Sequence, residues 1–156
     1  MRYLGGAFVF FVGILAHWLW STYFPLFGLA PQVLLILTIA VASSSGPVAG
    51  QCFGFAWGLF LDVLSAHVFG ANALGLTLVG YFIGMLRRQM DVASAPSQIV
   101  FVMVLTPAYL LFLGFAGLVF ERTFLWVGWK AFLADPLYNS LVCPFGFAFV
   151  RRSMRL

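Results

Sequence analysis

The chain has 156 residues, of which 63% are hydrophobic and 8% charged. A soluble domain carries about 25% charged residues, and here no charged side chain stands between Arg2 and Asp62. This composition excludes a water-facing surface, and it excludes disorder, which needs low hydrophobicity and high charge. The formal net charge of +4 does not imply nucleic acid. The arginines sit at the ends of apolar runs, as the positive-inside rule requires of a membrane protein, and form no separate basic surface.

A spanning helix needs about 20 apolar residues to cross about 30 Å of hydrocarbon. The first predicted span covers residues 3–24. It has no convincing small-x-small cleavage site, so it reads as an uncleaved span and not as a signal peptide. The second, 31–43, starts at Pro31, is short, and ends in Ser43-Ser44-Ser45-Gly46-Pro47. The third covers 47–66. The fourth, 72–88, takes Asn72 as its N-cap and ends at Arg87-Arg88. The polar stretch Gln89 to Ser97 is a loop. The fifth covers 98–120, with a kink expected at Pro107. The sixth, 136–150, takes Asp135-Pro136 as its cap and first turn.

Six spans put Arg2, Arg87, Arg88, Arg151, Arg152 and Arg155 on one side, which the positive-inside rule makes cytoplasmic. Arg122 and Lys130 fall in the last outer loop. Five spans would expel the C-terminal arginines. Trp18, Trp20, Trp126 and Trp129 then form an aromatic belt near the outer face. Between Glu121 and Asp135, Phe124, Leu125, Trp129, Phe132 and Leu133 share one side of a helix. An interfacial helix is expected there; the alternative is an extension of span six.

The third span carries the most specific pattern. Gly46, Gly50, Gly54 and Gly58 recur every four residues, and Asp62 and Ala66 continue the series. Such a stripe lets another backbone approach closely, which is how helices associate in lipid. Two readings stand. The stripe packs on the fourth span, where Ala73, Thr77, Gly80 and Gly84 form a second stripe, or it is a groove for a partner helix.

Asp62 is the only acidic residue inside a predicted span. A carboxylate at the bilayer centre costs at least about 2.5–3.5 kcal/mol. It reads as a polar clamp with Asn72, His67 or Ser65, in which hydrogen bonding matters more than charge. The sharper alternative is a proton or cation site, but no second carboxylate accompanies it. His17 reads as an interfacial histidine. Cys52 and Cys143 read as small buried hydrophobes. The sequence has no metal-ligand spacing, nucleophile elbow, Walker loop or dinucleotide fingerprint. The residues therefore give an all-α polytopic membrane protein, a six-helix transmembrane bundle in a single domain, with no catalytic set, no cofactor and no metal.

The stretch GFAWGLFLDVLS from Gly54 to Ser65, followed by FGANALGLTLVGYFIGMLRR from Phe69 to Arg88, resembles the MreD family of bacterial rod shape-determining membrane proteins. Leu137-Tyr138-Asn139, Pro144 and Arg151-Arg152 also resemble that family, as do the length and span count. The resemblance implies a non-enzymatic scaffold of the cell-elongation complex in the cytoplasmic membrane, supporting side-wall peptidoglycan synthesis. The partners it implies are an MreC-like membrane protein, the actin-like MreB, the shape-determining glycosyltransferase and its class B transpeptidase. It also implies a fold similar to the six-helix substrate-binding subunits of energy-coupling-factor vitamin transporters. A transporter subunit is thus the second reading. The scaffold needs an apolar lateral groove, and the transporter needs several convergent polar groups.

Overall fold

The computed structural model describes residues 2–23, 31–65, 68–89, 91 and 94–154, with backbone alone at 2–4 and 95. These residues form six helices: α1 (Arg2–Tyr23), α2 (Val33–Ser45), α3 (Pro47–Leu64), α4 (Ala71–Leu86), α5 (Ala95–Glu121) and α6 (Trp129–Ser153). Four of them, α1, α3, α5 and α6, are long and apolar enough to cross a membrane. Helices α2 and α4 have 13 and 16 residues. At 1.5 Å per residue they reach about 20 and 24 Å, less than the hydrocarbon thickness.

Helix α2 is the centre of the bundle. Every residue from Val33 to Ser43 is buried. A helix that is apolar all round belongs inside other helices, and here α3, α4 and α6 surround it. Its end is encoded locally. The Ser43 and Ser44 hydroxyls both donate to the Ala40 carbonyl at 2.9 Å, competing with the helical ladder. Gly46 then takes a positive φ of 95° and Pro47 opens α3. Proline disfavours helical backbone in the residue before it, so Gly46 alone joins the two helices.

Helices α3 and α4 make the closest contact in the molecule. A Cβ added at Gly50 would lie 2.7 Å from the Gly80 carbonyl oxygen. Added at Gly54 it would strike the Leu76 carbonyl, at Gly58 the backbone of Ala73, and at Gly84 the backbone of Pro47. The α3 stripe therefore lies against α4 along its whole length. Helix α4 turns a second face to α5, where Gly75 lies under the Tyr109 and Phe112 rings.

Helix α1 is held at intervals. Gly5 sits on the Ser153 carbonyl, and Gly13 lies against Leu37 and Trp57. The Trp57 Nε1–H donates to the Phe10 carbonyl at 3.2 Å, and its ring stacks on Phe10 at 6.1 Å. The outward side chains Phe8, Phe11, Val48, Val63, Val104, Val119 and Leu141 are exposed. Apolar surface of this kind faces lipid.

Four local expectations are corrected. Cys52 is exposed and is not a buried hydrophobe, whereas Cys143 is buried. Asn72 does not cap α4: the helix begins at Ala71, preceded by Gly70 in the left-handed region, and no side chain of its own caps it. Asp135-Pro136 does not open α6, which begins seven residues before Pro136, at Trp129 after Gly128 with φ 88°. The apolar run before Asp135 is helical because a backbone away from water must satisfy itself internally. The outer segment forms no separate interfacial helix. Arg122, with φ 56°, ends α5. Phe124 and Leu125 then fold back onto Gly114 and Gly117, and from Trp129 onward the chain extends span six. Helix α5 continues across Pro107.

One end of the bundle holds Asp62, the start of α4 and the Trp129 corner. The other holds Arg87, Arg88, Arg151 and Arg152, all exposed.

A leucine at Gly54 or Gly58 must push α4 off α3. Overpacking of this kind costs about 1–3 kcal/mol, and displaced backbone raises the cost. Gly54→Leu and Gly58→Leu should therefore lower the melting temperature and the monodisperse yield in detergent. Val63→Leu, on an exposed side chain of the same helix, should leave both near wild type.

Candidate interaction site and its polar clamp

The sequence reading singled out a glycine stripe and an acidic residue on α3, and the fold gives both to α4. Gly50, Gly54 and Gly58 on α3 and Gly80 and Gly84 on α4 are buried between the two helices. Their contact brings the start of α4 beside the end of α3.

Asp62 is 2% exposed. Its Oδ1 accepts the Asn72 backbone N–H at 3.0 Å and the Asn72 Nδ2–H at 2.9 Å. Its Oδ2 accepts the Ala73 backbone N–H at 3.0 Å. The first N–H groups of any helix lack intrahelical partners, and the positive end of the helix dipole favours a carboxylate there. Asp62 thus caps α4 from another helix, which explains why α4 needs no cap of its own. Ser65 reaches the Asp62 backbone carbonyl and not the carboxylate. His67 lies outside the described residues.

Asn72 also accepts a hydrogen bond on Oδ1 from the Tyr109 hydroxyl. The clamp therefore spans α3, α4 and α5. Sequence reasoning missed Tyr109, because a tyrosine within an apolar run looks like any other core aromatic.

A second polar link lies at the start of α2. The Asn139 Oδ1 accepts the Gln32 backbone N–H at 2.9 Å, and its Nδ2–H donates to Thr106 Oγ1 at 3.0 Å. Asn139 is fully buried; it joins α6 to α5 and to the residue before α2. The one sequence signal for it was its place in Leu137-Tyr138-Asn139. Nearby, Trp20 donates to the Tyr138 hydroxyl at 2.8 Å and ties α1 to α6.

A partly open cavity of about 180 Å³ lies among His17, Gln32, Asn72 and Tyr109, with leucines lining the rest of its wall. His17 Nδ1 and Gln32 Oε1 are buried without a hydrogen-bond partner among the described residues. Ligand pockets occupy about 300–1,000 Å³, so the chamber is small for a vitamin.

A larger feature opens sideways. A groove of about 740 Å³ runs between α3, α4 and α5, lined by the large side chains Phe55, Leu74, Phe112 and Phe115 and the small ones Ala73 and Ala116. No group of three or more metal-ligating side chains occurs among the described residues.

A family model described as rod shape-determining protein MreD matches residues 1–152. The chain belongs to the MreD family. Membership brings a role in rod shape determination, and with the four long apolar helices it makes the chain a membrane protein. No curated protein and no solved structure matches the chain.

The clamp makes two predictions. Both Asp62 oxygens accept N–H groups, so asparagine is not equivalent: its amide nitrogen would face one of the α4 donors. Hydrogen bonds to charged groups contribute about 1.5–3 kcal/mol. Asp62→Asn should lose roughly one such bond, and Asp62→Leu should lose all three and be the least stable. Thermal melting in detergent, with abundance measured alongside, gives the order. Equal stability of wild type and both variants would remove Asp62 from the clamp. Tyr109→Phe deletes one donor and leaves the ring in place. It should cost about 1 kcal/mol by the same melting measurement.

Proposed function

We propose that the chain is a non-enzymatic scaffold of the bacterial cell-elongation complex in the cytoplasmic membrane, with both termini cytoplasmic. Its direct partner is the membrane helix of an MreC-like protein. Through that helix it supports side-wall peptidoglycan synthesis, in one complex with the actin-like MreB, the glycosyltransferase and the class B transpeptidase. The observation that carries this reading is the family match over residues 1–152.

The groove supports the docking part of the proposal. The α3 stripe is filled by α4 and is not open to another helix. The apolar groove between α3, α4 and α5 is lined by small and aromatic residues, which suits a helix that must gain van der Waals contact without a hydrophobic driving force. The transporter reading needs convergent polar groups in a pocket of substrate size. Two recesses border Asn72, of about 180 and 460 Å³; the larger has ligand size, but its polar side chains are Ser65, Asn72 and the Trp126 indole, a thin set for a vitamin, which favours the scaffold.

Ala116→Phe puts a large ring into the groove lining. It should abolish co-purification with the MreC-like partner and rod-shape complementation at unchanged abundance. Leu141→Phe, on the exposed face of α6, should retain both. Full partner recovery with Ala116→Phe would place the docking face elsewhere. No recovery of an MreC-like partner by wild type would reject the scaffold reading.

A further inference from the structure

At the arginine end a cavity of about 710 Å³ opens between α1, the α2–α3 corner and the last residues of α4 and α6. Its wall carries both polar and apolar side chains. Arg87, Ser44 and Ser45 form the polar part, and Ala7, Val48 and Phe53 line the apolar part. Arg87 does not extend away from the bundle: its Nη1 lies 3.4 Å from where a Cβ on Gly46 would sit. The guanidinium therefore lies over the corner that joins α2 to α3.

Three further donors belong to residues of its wall. Helix α3 starts at Pro47 with no side-chain cap, so the Val48 and Ala49 N–H groups lack intrahelical partners, and both residues line the cavity. The Ser45 hydroxyl donates at 3.0 Å to the Met154 thioether sulfur, a weak acceptor that a phosphate oxygen would displace. Arg88, Arg151 and Arg152 stand at the same end. Among the described residues Asp91 is its one carboxylate, since Asp62, Glu121 and Asp135 belong to the other end.

The apolar part has a direction. Phe53 lies six residues into α3 from Pro47, about 9 Å along the axis. Beside it α1 presents Gly6 and Ala7 to the cavity, and the Phe53 ring tip packs 3.5 Å from where a Cβ on Gly6 would sit. A cation with amide and hydroxyl donors, above a slot that opens toward lipid, matches one phospholipid: phosphate at the top, the start of an acyl chain below.

We propose that this cavity binds an anionic phospholipid. Its phosphate rests on Arg87, the serine hydroxyls and the first amides of α3, and an acyl chain lies along Ala7, Val48 and Phe53. The surplus of arginine over carboxylate selects an anionic headgroup over a zwitterionic one, since each basic residue near a membrane surface favours anionic lipid.

Native mass spectrometry on the delipidated full chain tests this. The probes are phosphatidylglycerol and phosphatidylcholine with identical chains, and inorganic phosphate alone. Wild type should retain phosphatidylglycerol about fivefold better than phosphatidylcholine, the ratio that one basic contact gives. Arg87→Gln should erase that preference, while Arg88→Gln keeps most of it. Ala7→Leu should weaken both lipids with the preference intact. Melting without lipid checks that each variant is folded. Equal retention of the two lipids by wild type, or an unchanged preference in Arg87→Gln, overturns the proposal. A thermal shift from inorganic phosphate equal to that from phosphatidylglycerol overturns the lipid assignment and leaves a free-anion site. If Arg87→Gln does not fold, undiminished lipid binding by Ala7→Leu overturns it independently.

Discussion

The backbone-to-backbone contact of α3 with α4 is the constraint on which the rest of the bundle depends. In lipid, apolar side chains gain nothing by leaving the acyl chains for one another. Cohesion must come from close approach, from hydrogen bonds, or from both. Glycine at Gly50, Gly54, Gly58, Gly80 and Gly84 provides the approach, bringing carbonyl oxygens and α-carbons of one helix against those of the other. The hydrogen bonds follow from the same geometry. Once the two axes lie this close, the last turn of α3 sits beside the first amides of α4. Asp62 can then reach the Asn72 and Ala73 N–H groups.

This arrangement changes the meaning of a buried charge. An isolated carboxylate in the membrane is expensive and signals transport or catalysis. Asp62 is different, because each of its oxygens has a donor and it faces the positive end of a helix dipole. Its charge compensates backbone groups that α4 would otherwise leave open at its start. The polar residues at this end act in the same way. Asn139 closes the amide before α2, and Tyr109 completes Asn72. The starts of α4 and α2 thus borrow partners from neighbouring helices.

That borrowing explains what was legible in the sequence and what was not. The six helices follow from apolar runs and proline or glycine punctuation, so their order was readable. The stripe was readable as a close-packing surface because its period of four is a helical one. Its owner was not, since glycine marks close approach without naming the partner. Asp62 and Asn72 were readable as a pair by their position at facing helix ends. The donors that Asp62 uses are backbone amides, which have no sequence signature. Asp135-Pro136 misled because an N-cap followed by proline marks a helix start in water, where an unpaired turn is cheap. Tyr109, Thr106 and Gln32 were invisible because their partners lie on other helices, and one sequence does not give helix adjacency.

The short central helix unites the two ends of the molecule. At about 20 Å, α2 leaves some 10 Å of the hydrocarbon thickness without a core helix. The shortfall appears at both of its termini. Before α2, Gln32 borders the small chamber shared with His17, Asn72 and Tyr109. After it, Ser44 and Ser45 border the cavity under Arg87. A longer α2 would fill these spaces with apolar side chains, and no polar group would then have reason to be there. The serine run and Gly46-Pro47 stop the helix early. The same residues that terminate α2 thus create the recess at the arginine end, and they put the uncapped amides of α3 in its wall. The length of one buried helix thus sets two of the polar-lined recesses of the bundle.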